Sequence, residues 1–174
     1  FDDTNLGCAG GRREAFQYAS GDYVLFIDND ILVMPYYLEN LIIRLEEDEK
    51  NVGACCKVVF PDGKIQYNGG TLMVNDGYAV YNLIDSGLPY DSTITRHQLE
   101  CQWIPGGATL WKREGLVQFP IDDGMKGSFE DNEVSMRIKK AGYNLVNSPF
   151  SIVIHNHVNY KNQKFHEKEK EYLK

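Results

Sequence analysis

The sequence predicts an α/β domain built on a mixed sheet flanked by helices. Short β-rich apolar runs such as Val24-Leu25-Phe26-Ile27 alternate with segments whose apolar residues recur at helical spacing. Turn signals then crowd the middle of the chain, at Pro61-Asp62-Gly63 and Asn75-Asp76-Gly77, which adds antiparallel hairpins to the alternation. With 174 residues, 43% of them hydrophobic, the chain suits one domain over 1–174 with a core of its own.

In chain order, Arg12 to Ala19 reads as a short helix stopped by Ser20-Gly21. Tyr23 to Ile27 reads as a buried strand. Pro35 opens a second helix, whose Leu38, Leu41, Ile42 and Leu45 form one apolar stripe. The acidic run Glu46-Glu47-Asp48-Glu49 is its solvated end. Val52 to Phe60 is the next strand, and Ile65 to Asn82 holds short antiparallel pieces. Residues 83–100 form a long loop, of the kind that in a compact domain is functional or mobile. Cys101 to Ile104 and Ala108 to Trp111 are strand-like on either side of Pro105-Gly106-Gly107. Asp131 to Ala141 is helical, with Gly142 as its stop. Leu145-Val146 and Ile152 to Ile154 are short strands, and 158–174 is a charged tail.

A net charge of −7 argues against a general nucleic-acid-binding surface. No apolar run approaches the roughly 18 residues of a membrane span. The four cysteines lack the CxxC spacing of a zinc site and read as free buried thiols of a reducing compartment. Cys55 and Cys56, adjacent on a strand, point to opposite faces.

Four features carry chemistry. The strand ending at Ile27 runs into Asp28 and Asp30, which in an extended chain share one side. Hard carboxylate oxygens at a strand end suit Mg²⁺ or Mn²⁺, held together with substrate phosphates; a solvated turn is the bland alternative. Glu130-Asp131 opens a helix, where carboxylates either cap the helix or stay ionised as a general base requires. His155 and His157 leave a strand at i and i+2, so one imidazole can turn inward to a metal, although two histidines are more often ordinary residues. Gly106-Gly107 permits close backbone approach to a ligand or simply makes a tight turn, and Trp103 before it offers a face to a sugar or packs in the core.

These features stand in an order that resembles inverting family 2 glycosyltransferases of the GT-A fold. The resemblance runs over about residues 3–157, through Asn5-Leu6-Gly7-Cys8-Ala9-Gly10-Gly11-Arg12, Asp28-Asn29-Asp30, Pro105-Gly106-Gly107, Phe129-Glu130-Asp131, Arg137 to Tyr143, and His155. It implies that Asp30, supported by Asp28 and completed by His155, binds Mn²⁺ or Mg²⁺ on a nucleotide-sugar diphosphate. It implies that Asp131 is the base that deprotonates the acceptor hydroxyl and that Glu130 orients the acceptor. Arg12, Asn5 and Gly7 are then donor-side residues, while Gly106, Gly107 and Trp103 line the acceptor. The donor is a UDP-sugar by default, and the acceptor a saccharide, a lipid-linked molecule or a protein, as in polysaccharide biosynthesis. Two positions depart from the family pattern: Arg13 stands where asparagine is usual, and Asn132 where aspartate or valine is common.

Members of that family begin with nucleoside-binding strands that normally precede the Asn5-to-Arg12 stretch, so the chain resembles the C-terminal two-thirds of such an enzyme. The expectations are a partial GT-A domain, inactive when isolated, and an exposed sheet edge at Tyr23 to Ile27 that promotes self-association. The expected location is the cytoplasm, with any membrane association made through other parts of the parent protein. Two other classes compete. A D-x-D phosphatase prefers Thr or Val where Leu32 stands. A truncated metal- or carbohydrate-binding module would turn over nothing.

Overall fold

The structure is a computed structural model that describes residues 5–122, 124 and 129–156. The charged tail and His157 lie outside the described residues. In chain order the elements are α1 (Gly7–Phe16), β1 (Tyr23–Ile27), β2 (Ile31–Val33), α2 (Tyr37–Glu46), β3 (Asn51–Val59) and β4 (Ile65–Tyr67). There follow β5 (Gly70–Asn75), β6 (Tyr78–Leu83), a 3₁₀ turn at Thr93–Thr95, β7 (Glu100–Cys101), β8 (Ala108–Lys112), α3 (Arg113–Gln118), α4 (Glu130–Lys140) and β9 (Asn144–His155).

The main sheet has the order β1-β8-β3-β9-β2, with β4 beside β3 and β7 beside β9. Only β3 and β9 run parallel, so the sheet is mixed, as the sequence predicts. All nine residues of β3 are buried, because helices cover both of its faces. On one face Leu41 and Leu45 of α2 pack on Ala54, Cys56, Val58 and Leu110. On the other, Leu116 of α3 and Val134 and Ile138 of α4 pack on Val52, Cys55, Trp111 and Leu145. Cys55 and Cys56 thus serve opposite faces. All four cysteines are free, but Cys8 is exposed rather than buried. No helix among the described residues is long and apolar enough to cross a membrane.

Several boundaries differ from the sequence reading, each for a physical reason. Helix α1 begins at Gly7, ahead of Arg12, because the Asn5 side chain accepts the Gly7 N–H at 2.9 Å and starts the first turn. Pro35 does not open α2 directly; Tyr36 intervenes in the left-handed region with φ 64°. The two short strands after α4 are one strand, β9, whose register with β3 slips between Cys56 and Lys57, opposite Pro149. The Cys101-to-Ile104 strand is only two residues long, and Trp103 contributes a single bridge to Gly70. Helix α3 carries Gly115 and Val117, poor helix formers, and is held by packing on Val52.

The long loop is held by buried side chains of the sheet. The Lys57 ammonium donates to the Tyr90 carbonyl at 3.2 Å and to Thr95 Oγ1 at 3.1 Å, and burial lowers its pKa. Asn147 Nδ2 donates to the His97 carbonyl at 3.1 Å, while its Oδ1 accepts the Leu99 N–H at 2.6 Å.

The β5–β6 hairpin turns at Asp76 and Gly77, both with positive φ, as the Asn-Asp-Gly signal requires. Its base rests on Trp103. A Cβ at Gly70 would sit 2.3 Å from the indole Nε1 and 2.4 Å from Cε2, atoms of a rigid ring. Gly70→Ala is therefore expected to cost about 1–3 kcal/mol through overpacking. A thermal melt of the purified variant checks it, and an unchanged midpoint would show that the hairpin lifts freely off Trp103.

Candidate active site

The site forms where β1 ends and β8 and α4 begin, at one side of the sheet. The Asp28 N–H donates to the Gly107 carbonyl at 2.9 Å, so the β1–β8 ladder continues into the Pro105-Gly106-Gly107 turn. The Ile31 N–H then returns to the Asp28 carbonyl at 3.3 Å and turns the chain into β2. That turn breaks the extended geometry in which Asp28 and Asp30 would share a side.

The two aspartates consequently face different partners. Asp28 Oδ1 lies 3.6 Å from an Arg12 guanidinium nitrogen. Asp30 Oδ2 lies 3.2 Å from His155 Nε2, because β2 places Ile31 opposite His155 of β9. Of Asp28, Asp30 and His155, the metal set that the resemblance implies, the structure brings Asp30 and His155 together and turns Asp28 to Arg12. Among the described residues no three His, Cys, Asp or Glu side chains gather to hold a metal ion.

Arg12 is the hub on the other side. Its NH1 donates to Glu130 Oε1 at 2.5 Å, and its guanidinium carbon lies 6.0 Å from the centre of the Phe26 ring. A Cβ at Gly106 would meet that guanidinium at 2.3 Å, and one at Gly107 would meet Asp28 Oδ2 at 2.8 Å and Tyr67 Oη at 3.2 Å. Both positions must be glycine for the charged groups to lie on the backbone. Gly106 and Gly107 are therefore the floor beneath Arg12 and Asp28. Asn5 and Gly7 start α1 beside a groove of about 700 Å³ lined by Gly7, Arg12, Phe26 and Asp28.

Asp131 is fixed at both oxygens. Oδ2 accepts the Gly106 N–H at 3.0 Å and Oδ1 accepts the Asn132 N–H at 2.8 Å. Burial nevertheless raises its pKa, against those hydrogen bonds and Arg12, which favour the charged form. Glu130 is raised for the same first reason, with Arg12 again opposing. A carboxylate held rigid and made more basic than in water has the properties of a general base.

Trp103 is placed differently from the sugar platform expected of it. It is only 7% exposed, its Nε1 donates to the Thr71 carbonyl at 3.1 Å, and it supports the hairpin from below. The aromatic surface above it is Tyr81, edge-on to Trp103 with ring centres 5.7 Å apart and 6.4 Å from Phe129. Asp131 lies close enough for its charge to help raise the Tyr81 pKa, after burial. Sequence reading missed Tyr81, because only the folded hairpin brings it over α4. It also missed Gln66, whose Oε1 lies 2.7 Å from His155 Nδ1.

Comparison with known proteins bears on the family and the fold. The profile of "Glycosyl transferase family 2" matches residues 1–109. The O-antigen biosynthesis protein RfbC of Myxococcus xanthus is 27% identical over 149 residues, 81% of this chain but 11% of that protein. Among solved structures, GalNAc-T7 with UDP, GalNAc and Mn²⁺ superposes with a TM-score of 0.67 at 18% identity, over 90% of this chain and 31% of that one. The mannosyltransferase PcManGT of Pyrobaculum calidifontis, in complex with GDP-Man and Mn²⁺, gives 0.59 at 16% identity, over 92% and 39%. These chains share the mixed sheet flanked by helices, which is the GT-A fold, and the present chain spans about a tenth of the curated relative and a third of the first structure. The matched profile covers more than half of the sequence, and the chain belongs to glycosyl transferase family 2.

Proposed function

We propose that this chain supplies the reaction centre of a transferase that moves a sugar from a nucleotide-sugar to an acceptor hydroxyl with inversion. The observation that carries the reading is the meeting of Asp28, Glu130 and Asp131, from distant segments, around Arg12 and the two glycines. A helix cap needs no such company. Asp131 takes the proton of the acceptor hydroxyl as that oxygen bonds to the anomeric carbon, while the bond from that carbon to the diphosphate breaks and the diphosphate leaves with the electron pair. Proton transfer is late, when attack has made the hydroxyl acidic, so a carboxylate is basic enough. Glu130, held by Arg12, orients the acceptor. The groove beside α1 suits the donor, and the surface below Tyr81 and Phe129 suits the acceptor. Both relatives of known structure were solved with Mn²⁺, UDP or a GDP-sugar, which supports this choice of donor class.

A divalent ion fits the Asp30–His155 pair. His155 Nε2 lies 3.2 Å from Asp30 Oδ2, and its Nδ1 lies 2.7 Å from Gln66 Oε1, which can accept the Nδ1 proton when Nε2 takes a metal. The imidazole nitrogen and the carboxylate oxygen can serve one cation as shared ligands. Their separation matches the edge of an octahedron with bonds of about 2.1 Å, which is about 3.0 Å. A mixed imidazole and carboxylate set favours Mn²⁺ over the harder Mg²⁺. Bound there, the ion would offset charge growing on the departing diphosphate.

Calorimetric titration with Mn²⁺ in the presence of UDP or GDP tests the site. Asp30→Ala and His155→Ala are expected to lose at least ~10-fold in affinity, more than Asp28→Ala. Equal binding by all four proteins would remove the metal from this reading. Failure of the longer parent protein to transfer sugar to any hydroxyl acceptor would favour a binding module instead.

A further inference from the structure

We propose that Tyr81 and Phe129 form a stacking platform that selects a saccharide as the acceptor, holding one pyranose ring by its C–H face beside Asp131. The inference rests on the acceptor reading above and deepens it. Phe129 stands two residues before Asp131, at the start of α4, and is 42% exposed. Tyr81 reaches it from β6, with ring centres 6.4 Å apart and planes tilted by 47°. Tyr81 is fixed both from beneath and at its tip. Trp103 lies nearly perpendicular to it, at 5.7 Å between centres, and the Tyr81 hydroxyl donates to Met136 Sδ at 3.0 Å. Neither ring belongs to either hydrophobic core of the domain. Tyr81, Phe129 and the exposed Met136 thus make a braced apolar surface without a charged side chain, next to a carboxylate.

The chemistry of the occupant follows from what the two parts require. Asp131 requires a hydroxyl, and the rings require a flat apolar face next to it. A pyranose offers both, with hydroxyls around its rim and C–H bonds that can point at the negative face of an aromatic ring. An alkyl chain brings no hydroxyl to Asp131. A serine or threonine brings its own backbone N–H and C=O groups, for which the two rings hold no partner, and the Tyr81 hydroxyl is already turned to Met136.

Saturation-transfer NMR on the 174-residue chain tests this with the methyl glycosides of glucose, galactose, mannose and N-acetylglucosamine. The ring C–H protons of at least one are expected to receive magnetisation. Tyr81→Leu keeps an apolar side chain but removes the π face. Phe129→Gly removes the ring where φ is 70°, a backbone that glycine takes freely, so this variant should melt no earlier than the wild type. Each should weaken the bound glycoside by about 10-fold, the scale of one lost apolar ring contact. A wild type that binds none of the glycosides, or variants that bind as tightly as it does, overturns the proposal, and so does binding of a serine peptide in preference to every glycoside. A parent protein that binds a glycoside through both rings yet transfers sugar to no hydroxyl overturns the acceptor reading and supports the platform.

Discussion

Asp131→Asn is expected to lower sugar transfer by the parent protein by about 10²–10⁴-fold, the usual scale for a general base. Donor affinity should stay unchanged. The fold should survive, because two effects oppose each other. An amide offers one acceptor where the carboxylate offers two, so either the Gly106 or the Asn132 N–H loses its partner. Against that, the variant no longer buries a charge whose pKa shows that the fold disfavours it. Transfer rate, donor binding and thermal midpoint together give the answer, and near-normal turnover would reduce Asp131 to a helix cap. The sign of the pH effect follows from the same shift. A carboxylate with a raised folded pKa makes the fold lose stability as pH climbs from its unfolded value, about 3.9, through the folded one. Activity runs the other way, rising as Asp131 ionises, so its acid limb should lie above the ordinary carboxylate range.

Arg12→Met should have the largest effect on stability. Glu130 has a side chain only 7% exposed, and Arg12 at 2.5 Å is its charged partner. Without that partner a buried carboxylate remains, already disfavoured by its surroundings. The loss should approach about 3 kcal/mol, the lower end for breaking a buried pair, since Arg12 keeps some solvent contact. At roughly 2–4 °C per kcal/mol for a chain of this size, the midpoint should fall by about 6–12 °C. The double variant Arg12→Met, Glu130→Gln should recover much of that fall. A double variant no more stable than the single one would show that the arginine acts by packing on Phe26 instead.

The helices and strands with strong periodicity were legible from the chain alone. The stripe of Leu38, Leu41, Ile42 and Leu45 and the strand at Val52 to Phe60 carry their burial in their spacing, whereas Tyr23 to Ile27, expected as a buried strand, is an edge strand of which only Val24 is buried. Short elements were not. Strand β2 has three residues and exists because β9 offers it an edge. The site was legible as a set of residues but not as a set of partnerships. D-x-D spacing assumes an extended backbone, whereas the turn from Asp28 to Ile31 sends the two acids apart. Nothing local to Arg12 or Glu130 announces a contact between residues so far apart. The covering of Trp103 and the placing of Tyr81 were hidden for a similar reason: only the folded hairpin decides which ring is covered.

The parallel pairing of β3 with β9 has a consequence for how the chain is made. Ala54 lies beside Val146, about half the sequence away. During synthesis β3 emerges well before β9, with nine residues that the finished domain buries. Its neighbour on one side is β8, and its neighbour on the other is the last described strand. At translation rates of about 5–20 residues per second, those residues, mostly apolar, wait several seconds for their final cover. The waiting segment is the one a chaperone would bind. The Asp30–His155 pair closes only when β9 docks, so a chain released early would hold Glu130 and Asp131 and still lack the imidazole.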